Sequence, residues 1–473
     1  MNIIEFMESD ELTPGSFEGD SWEPAKAVLS GAFALTMDAK RQRLFRKLSG
    51  GRRPPKSRVR EFWWVAGRRS SKTNNAAGIA VYMGTIGAEL FGLLANLKPG
   101  ERGVVNIIAV DREQAKVAFR YIVGMIEASP MLSALVEKKG ADFIDLTNRV
   151  SIEVNTNSFK SVRGRTAICT IFDECAFFKD EHSAAPDVEL YRACVPALAT
   201  TNGMLIGISS PYAKRGLLYN KWKKHFGQDG DILVVKGGTR DFNPTINEQI
   251  IKEALEEDPA GARSEWLGEF RDDISDFLQR DVVESVTRTD PLEMPYYSGT
   301  TYIGFADPAG GGKDEFTMSI GHQEGERTII DVVRAQRGTP AAIVAEYAQV
   351  FKAYNINRIT SDRFAGSWPA DEFQKHGIKC EQSAKPKSQL YADALSRFNS
   401  GQVELPPDDI LVNQLCNLER RTMRGGRDSV DHPVGQHDDR ANAVCGLLAE
   451  ANTTGSKAGI LLPRRHRMGM HRC

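Results

Sequence analysis

Between Glu61 and Lys236 five short apolar runs recur: EFWWVA (61–66), VVNIIAV (104–110), AICTIF (167–172), GMLIGISS (203–210) and ILVVKG (232–237). Segments of helical periodicity, such as REQAKVAFRYIVGMIEA, lie between them. This alternation limits the fold more than any other feature of the chain. Apolar strands joined by crossover helices run parallel and are covered on both faces, so the expected first domain is α/β with a parallel sheet.

A second pattern begins near Tyr302. TYIGFADPAGGG, EFTMSIGHQEG and RTIIDVVRAQRG are strands joined by tight Gly-rich turns and predict an antiparallel meander. The helix pattern PAAIVAEYAQVFKAY, the strand INRITSDRF and another helix follow. Between the two patterns lies a charged helical stretch, NEQIIKEALEEDPAGARSEWLGEF, and then a polar connector. The expected organisation is an N-terminal extension over 1–60, a first domain over 61–275, a linker over 276–298, a second domain over 299–452 and a flexible basic tail over 453–473.

The chain has 473 residues, enough for two or three domains with their own cores. Its 61 Lys+Arg against 62 Asp+Glu leave a net charge of −1, so any nucleic-acid surface must be a local patch. Seven scattered cysteines show no zinc spacing and argue against a disulfide framework. The acidic N-terminus lacks the basic and apolar segments of a signal peptide. The run GIAVYMGTIGAELFGLLANL contains Glu89 and reads as a buried helix rather than a membrane span.

The first apolar run leads directly into AGRRSSKT (66–73). A phosphate-binding loop between strand and helix reads G-x-x-x-x-G-K-[ST]. Lys72 and Thr73 stand at the lysine and hydroxyl positions, while Ala66 and Ser71 replace both glycines. Backbone N–H groups at a helix start, with a lysine charge, do most of the phosphate binding. Serine serves in place of the second glycine if its φ stays negative. Gly67, Arg68, Arg69, Ser70, Ser71, Lys72 and Thr73 are therefore the candidate ATP cradle. Downstream, AICTIFDECAFF ends an apolar strand in Asp173 and Glu174. An Asp at a strand end holds magnesium in such ATPases, and an acidic neighbour activates water. A third strand ends in Ser209–Ser210–Pro211, whose hydroxyls are placed to sense a γ-phosphate.

In the second pattern Asp307 ends the first strand and Asp362 ends INRITSD. Asp438 and Asp439 begin an apolar helix in GQHDDRANAVCGLLA. One by one these are ordinary turn and helix-cap residues. In a ribonuclease H-like fold they converge, and so many carboxylates need hard divalent cations beside them. Two Mg²⁺ or Mn²⁺ ions there cleave phosphodiesters. His432 and His437 read as polar surface rather than ligands.

The loop AGRRSSKT, IFDE and SSP, joined in one chain to DPAGGGKDEF, SDRF and HDDRANA, resembles the large terminase subunit of tailed bacteriophages, over residues 30 to 450. Such terminases often carry arginine at the place of Arg68; Ser71 departs from the usual glycine. The resemblance implies that Lys72 and Thr73 grip ATP phosphates and Mg²⁺, Asp173 assists the metal and Glu174 activates water. It assigns Gln42 to adenine, Ser209 and Ser210 to coupling, and Arg163 to action in trans, with Arg165 equally near. Asp307, Asp362, Asp438 and Asp439 match the nuclease acids, and Asp314 fits the pattern. The implied partners are double-stranded DNA, a portal protein, a small terminase subunit and other copies in a ring on the procapsid, with a monomer in solution and no membrane. The implied place of action is the cytoplasm of the infected bacterium. The rival readings are a cellular helicase–nuclease, for which no helicase motifs follow SSP, and a docking component with a dead loop.

Overall fold

The computed structural model describes residues 1–156, 164–178, 186–308, 314–363, 368–422, 428–433 and 436–455. The chain forms two compact units, Met1–Ser275 and Asp276 onward.

The first unit is built on an eight-stranded sheet. Its strands are β1 (Glu61–Ala66), β2 (Gly103–Ala109), β3 (Val136–Lys139), β4 (Phe143–Leu146), β5 (Val150–Thr156), β6 (Thr166–Asp173), β7 (Met204–Ser209) and β8 (Ile232–Gly237). Their order is β3-β4-β5-β2-β6-β7-β1-β8. From β5 to β8 all pairings are parallel, and β3 and β4 add an antiparallel edge. Side chains of β1 alternate between two cores. Phe62, Trp64 and Ala66 join the layer that contains helices Lys72–Gly84 and Arg112–Ala128. Trp63 and Val65 join the layer of helices Pro186–Ala199 and Gly216–His225. Ile3, Phe6, Phe17, Leu29 and Phe45 are buried in the first of these cores, so the N-terminal sixty residues are part of this unit's packing. The run expected as a buried helix is helix Lys72–Gly84 followed by Ile86–Leu90, and among the described residues no helix is long and apolar enough to cross a membrane.

Parallel strands end on one edge. β6, β7 and β1 are neighbours, with Ile208 beside Asp173 and Val65 beside Ser209. This register brings the loop after β1, the acids after β6 and the serines after β7 to one place, where open α/β sheets bind ligands.

A short strand, β9 (Ile274–Asp276), closes this part of the chain. The charged stretch before it is two helices, Glu248–Glu257 and Pro259–Leu267, divided at Asp258–Pro259. The segment 276–298, expected as a linker, is instead packed into the second unit. Phe277, Leu278, Val283 and Val286 are buried in its core, and Glu293 meets Arg334 at 2.8 Å.

The second unit carries β10 (Tyr302–Asp307), β11 (Phe316–Glu324), β12 (Arg327–Gln336), β13 (Arg358–Ser361), β14 (Lys379–Gln382) and β15 (Val403–Glu404), ordered β14-β13-β10-β11-β12-β15. The first three form the expected antiparallel meander, and β13 and β14 run parallel to β10. This is the ribonuclease H-like arrangement. β16 (Glu419–Thr422) and β17 (Asp428–Asp431) form a hairpin to which β9 adds a third strand, in the order β17-β16-β9. Helix Asp439–Gly455 crosses the sheet closely: a Cβ on Gly446 would lie 2.3 Å from the Phe305 ring. Thr317 Oγ1 and Ser319 Oγ donate to the carbonyls of Asp439 and Ala443 at 2.8 and 2.7 Å, fixing the helix start beside β11.

Candidate functional sites

The loop after β1 is tied down on its outer side. Thr239 Oγ1 and Asn243 Nδ2 donate to the carbonyls of Arg68 and Arg69 at 2.7 and 3.0 Å. Gly67 is required by close approach, because a Cβ there would meet Thr239 Oγ1 at 2.5 Å. Ser70 is buried and donates to the Gly67 carbonyl at 2.6 Å. Ser71 has φ 55° and ψ 28°. The condition of a negative φ is thus not met: the loop keeps the left-handed turn that glycine favours and imposes it on serine, at a cost of about 1–2 kcal/mol. Arg69 is also left-handed, at φ 60°. Arg68 is exposed and pairs with Glu265 at 3.0 Å.

Lys72 begins the helix and is buried. Its ammonium donates to the carbonyls of Ala66 and Gly67 at 3.2 and 3.0 Å and to Ser210 Oγ at 2.8 Å. It lies 3.3 Å from Glu174. Glu174 turns on a left-handed residue (φ 55°) after β6, which directs its carboxylate back to the end of β7. There it accepts from Ser210 N–H at 2.9 Å and Ser209 Oγ at 3.1 Å. Asp173 is buried beside Thr73, whose Oγ1 donates to Oδ2 at 3.3 Å, while Oδ1 has no hydrogen-bond partner. Burial, and then the neighbouring Glu174, push the Asp173 carboxyl up to about 7; Lys72 acts in the opposite direction. A buried, orphaned carboxylate oxygen near a hydroxyl is a hard-oxygen donor set of the kind magnesium takes.

Gln42 is half-buried on helix Ala39–Leu48. Lys47 of that helix pairs at 2.7 Å with Asp241, in the segment that holds the phosphate loop. Arg163 lies outside the described residues, as does the tail from 456. Arg165 is described and forms an ion pair with Glu153.

In the second unit Asp307, Asp362, Asp438 and Asp439 line one cleft of about 1290 Å³, together with Asp314, His432 and His437. Ala306 pairs with Ser361 in the sheet, so Asp307 and Asp362 emerge side by side. Asn442, one turn into the late helix, donates to Asp362 Oδ2 at 2.6 Å. Burial holds the Asp307 carboxyl well above the usual carboxylate range against the effect of Asn442, and Asp362, Asp439 and Asp438 push it further. Asp439 is raised by burial as well, with the Glu315 N–H acting in the other direction.

The two adjacent aspartates, expected to act alike, differ. Asp438 has both oxygens engaged: Lys387 Nζ lies 2.8 Å from each, and Tyr391 OH donates to Oδ2. Among the described residues Asp439 accepts only the Glu315 N–H at Oδ2, at 3.0 Å; it stands with Asp314 and His437 in a group able to hold a cation, as Asp438 does with Asp431 and His432. His432 and His437, expected as surface, belong to the cleft, where His437 Nδ1 is 3.0 Å from Asp314. Lys387 and Tyr391 were invisible in the sequence. They sit four residues apart on helix Lys387–Asn399, and only the packing of that helix against the late helix reveals their role.

No protein-family model matches the chain, and no curated relative matches it. Among solved structures it is similar to the HK97 bacteriophage large terminase, at 16% identity and a TM-score of 0.43, over 95% of this chain and 99% of that one. It is also similar to the large terminase of a thermophilic bacteriophage in complex with ADP, at 12% identity and 0.34, over 82% and 93%. The large terminase nuclease of thermophilic phage G20c with bound magnesium is similar at 20% identity and 0.30, over 33% and 85%. With every TM-score below 0.5, these likenesses decide nothing about activity, which is argued from the two sites themselves.

Proposed function

We propose that this chain is the large subunit of a phage DNA-packaging terminase. It hydrolyses ATP to drive double-stranded DNA into a procapsid and cuts concatemeric DNA with a metal-dependent endonuclease. One observation carries the reading: a single chain holds both a Lys72–Glu174–Asp173 cluster at a parallel sheet edge and a four-aspartate cleft in a ribonuclease H-like unit.

In the first unit the N–H groups of residues 69–73 and the Lys72 ammonium receive the ATP phosphates; those of Gly67 and Arg68 are taken by the carbonyls of Gly237 and Glu265. Three of the partners of Lys72 are neutral, and exchanging them for phosphate oxygens is favourable, while the nearby Glu174 carboxylate competes for the same ammonium. Thr73 and Asp173 would hold the magnesium that accompanies ATP and neutralises its phosphate charge. Glu174 takes the proton of the attacking water. Ser210 contacts both Glu174 and Lys72 and Ser209 contacts Glu174, so they report nucleotide state to β7 and the segment beyond. Gln42 reads adenine, Arg68 contributes from the loop, and Arg163 or Arg165 serves a neighbouring subunit.

In the second unit Asp307, Asp362 and Asp439 offer oxygens to Mg²⁺ or Mn²⁺, and Asp438 supports them from behind. Such ions would supply an activated water and a stabilised leaving oxygen. Asn442 orients Asp362, and Lys387 with Tyr391 fixes Asp438. A ring on the portal, delivery of DNA by a small terminase subunit and action in the infected cell's cytoplasm complete the proposal. The test is plasmid digestion and phosphate release by the purified full chain. Cleavage should need Mg²⁺ or Mn²⁺ and stop with a chelator; neither activity under any metal would sink the reading.

A further inference from the structure

Residues 39–60, AKRQRLFRKLSGGRRPPKSRVR, contain ten Lys or Arg and no Asp or Glu, in a chain of net charge −1. Three of the ten are structural. Arg41 bonds Glu8 and Glu23, Arg52 bonds the carbonyls of Gly230 and Ile232, and Arg58 bonds the carbonyl of Asn202. Lys40, Arg43, Arg46, Lys47, Arg53, Lys56 and Arg60 are exposed, and Lys40 meets Asp20 at 3.7 Å. Lys47, Arg53 and Arg60 each meet one acid, at 2.7, 3.1 and 3.5 Å. Arg46 and Lys56 have no acidic partner among the described residues.

Helix Gly216–His225 brings exposed Lys223 and Lys224 to the same surface. The Phe226 ring lies against Gly50, where a Cβ would come within 2.8 Å of it, and Arg60 N–H donates to the Asp231 carbonyl at 2.9 Å. Helix dipoles account for cations in the last turns of the two helices, at Arg46, Lys47, Lys223 and Lys224. They do not account for Arg53, Lys56 and Arg60, which lie in the loop between Gly51 and β1.

The surface also lacks what a protein partner needs. None of the chain's exposed large apolar side chains falls within 39–60 or 216–231. Protein interfaces are anchored by buried aromatic and aliphatic groups, whereas a phosphate backbone is bound by cations alone. We infer that this surface binds the phosphate backbone of duplex DNA without regard to base sequence. The inference rests on the reading that the chain acts on DNA. The surface lies at the opposite end of β1 from the phosphate loop, about 20 Å away for a six-residue strand.

The test uses the full chain in EDTA without ATP, so that the uncompensated carboxylates of the cleft repel DNA. Anisotropy of a fluorescein-labelled duplex is followed over a KCl series. Arg46→Ala/Lys56→Ala/Lys224→Ala removes three exposed cations outside any ion pair, and a melting curve checks its fold. The variant should bind at least about tenfold more weakly at about 0.1 M KCl. Its log Kd against log salt slope should fall by about 2.7, at roughly 0.9 for each lost phosphate contact. Arg112→Ala/Lys116→Ala/Arg120→Ala, on the exposed face of another helix, should match wild type. A folded triple variant with wild-type affinity and slope would overturn the inference and leave the DNA reading standing. If that same variant lost binding to polyglutamate alone, the surface would belong to an acidic protein. Wild type that binds no duplex even at low salt would overturn both.

Discussion

Glu174→Gln separates the proposed proton acceptor from everything else at the nucleotide site. Glutamine keeps the shape, and its carbonyl can still accept from Ser210 N–H and Ser209 Oγ. What disappears is the charge 3.3 Å from Lys72. At an effective dielectric of about 20 that attraction is about 5 kcal/mol gross. Two effects offset part of it. Lys72 keeps three neutral acceptors, and Asp173 loses the neighbouring carboxylate that raises it. The net loss should be about 1–3 kcal/mol, small enough for the unit to stay folded. ATP affinity should hold or tighten, because Lys72 is freed for phosphate. Removing a general base costs about 10²–10⁴ in rate, or about 3–5 kcal/mol of barrier. Single-turnover phosphate release, with nucleotide Kd measured by fluorescence, reads both quantities. Turnover within an order of magnitude of wild type, with nucleotide bound normally, would refute Glu174 as the base.

Three further outcomes follow from the same geometry. Lys72→Ala should weaken nucleotide binding and abolish hydrolysis while metal-dependent plasmid cleavage continues. Ser71→Gly should relieve the left-handed strain of about 1–2 kcal/mol, less about 0.5–1 kcal/mol of glycine chain entropy, and raise the melting temperature by about 0–3 °C; a lower value would show that the loop is not strained there. Asp307 is a carboxyl raised in the folded state, so the fold binds more protons than the unfolded chain. Its contribution in chelator therefore favours the fold near the ordinary carboxylate pKa and is lost as pH rises through the raised value. Asp307→Asn should abolish cleavage, flatten that dependence and melt no lower than wild type in EDTA at neutral pH; a lower melting temperature would count against the crowded-carboxylate account.

What could be read in the sequence follows from burial. β1, β2, β6, β7 and β8 are covered on both faces, so they appear as uninterrupted apolar runs. β3 and β4 do not: VEKK and FIDL form an edge with exposed or half-buried positions, and their pairing partners are visible only in the folded sheet. The segment 276–298 looked like a linker because Phe277, Leu278, Val283 and Val286 are spaced too irregularly among charges to show a period. At the sites, acids at strand ends were legible because few other reasons place them there. The division of labour between Asp438 and Asp439 was not, since it depends on Lys387 and Tyr391, which local sequence presents as an ordinary helix face. Nor was the left-handed Ser71, because serine carries no signature of that conformation.

The central claim is that one chain carries two independent chemistries on separate units. The most direct measurement is phosphate release and Mg²⁺-dependent plasmid cleavage on the same preparations of wild type, Glu174→Gln and Asp307→Asn. The account predicts that Glu174→Gln loses hydrolysis and keeps cleavage, and that Asp307→Asn does the reverse. Folded variants that each lose both activities, or neither, would contradict it.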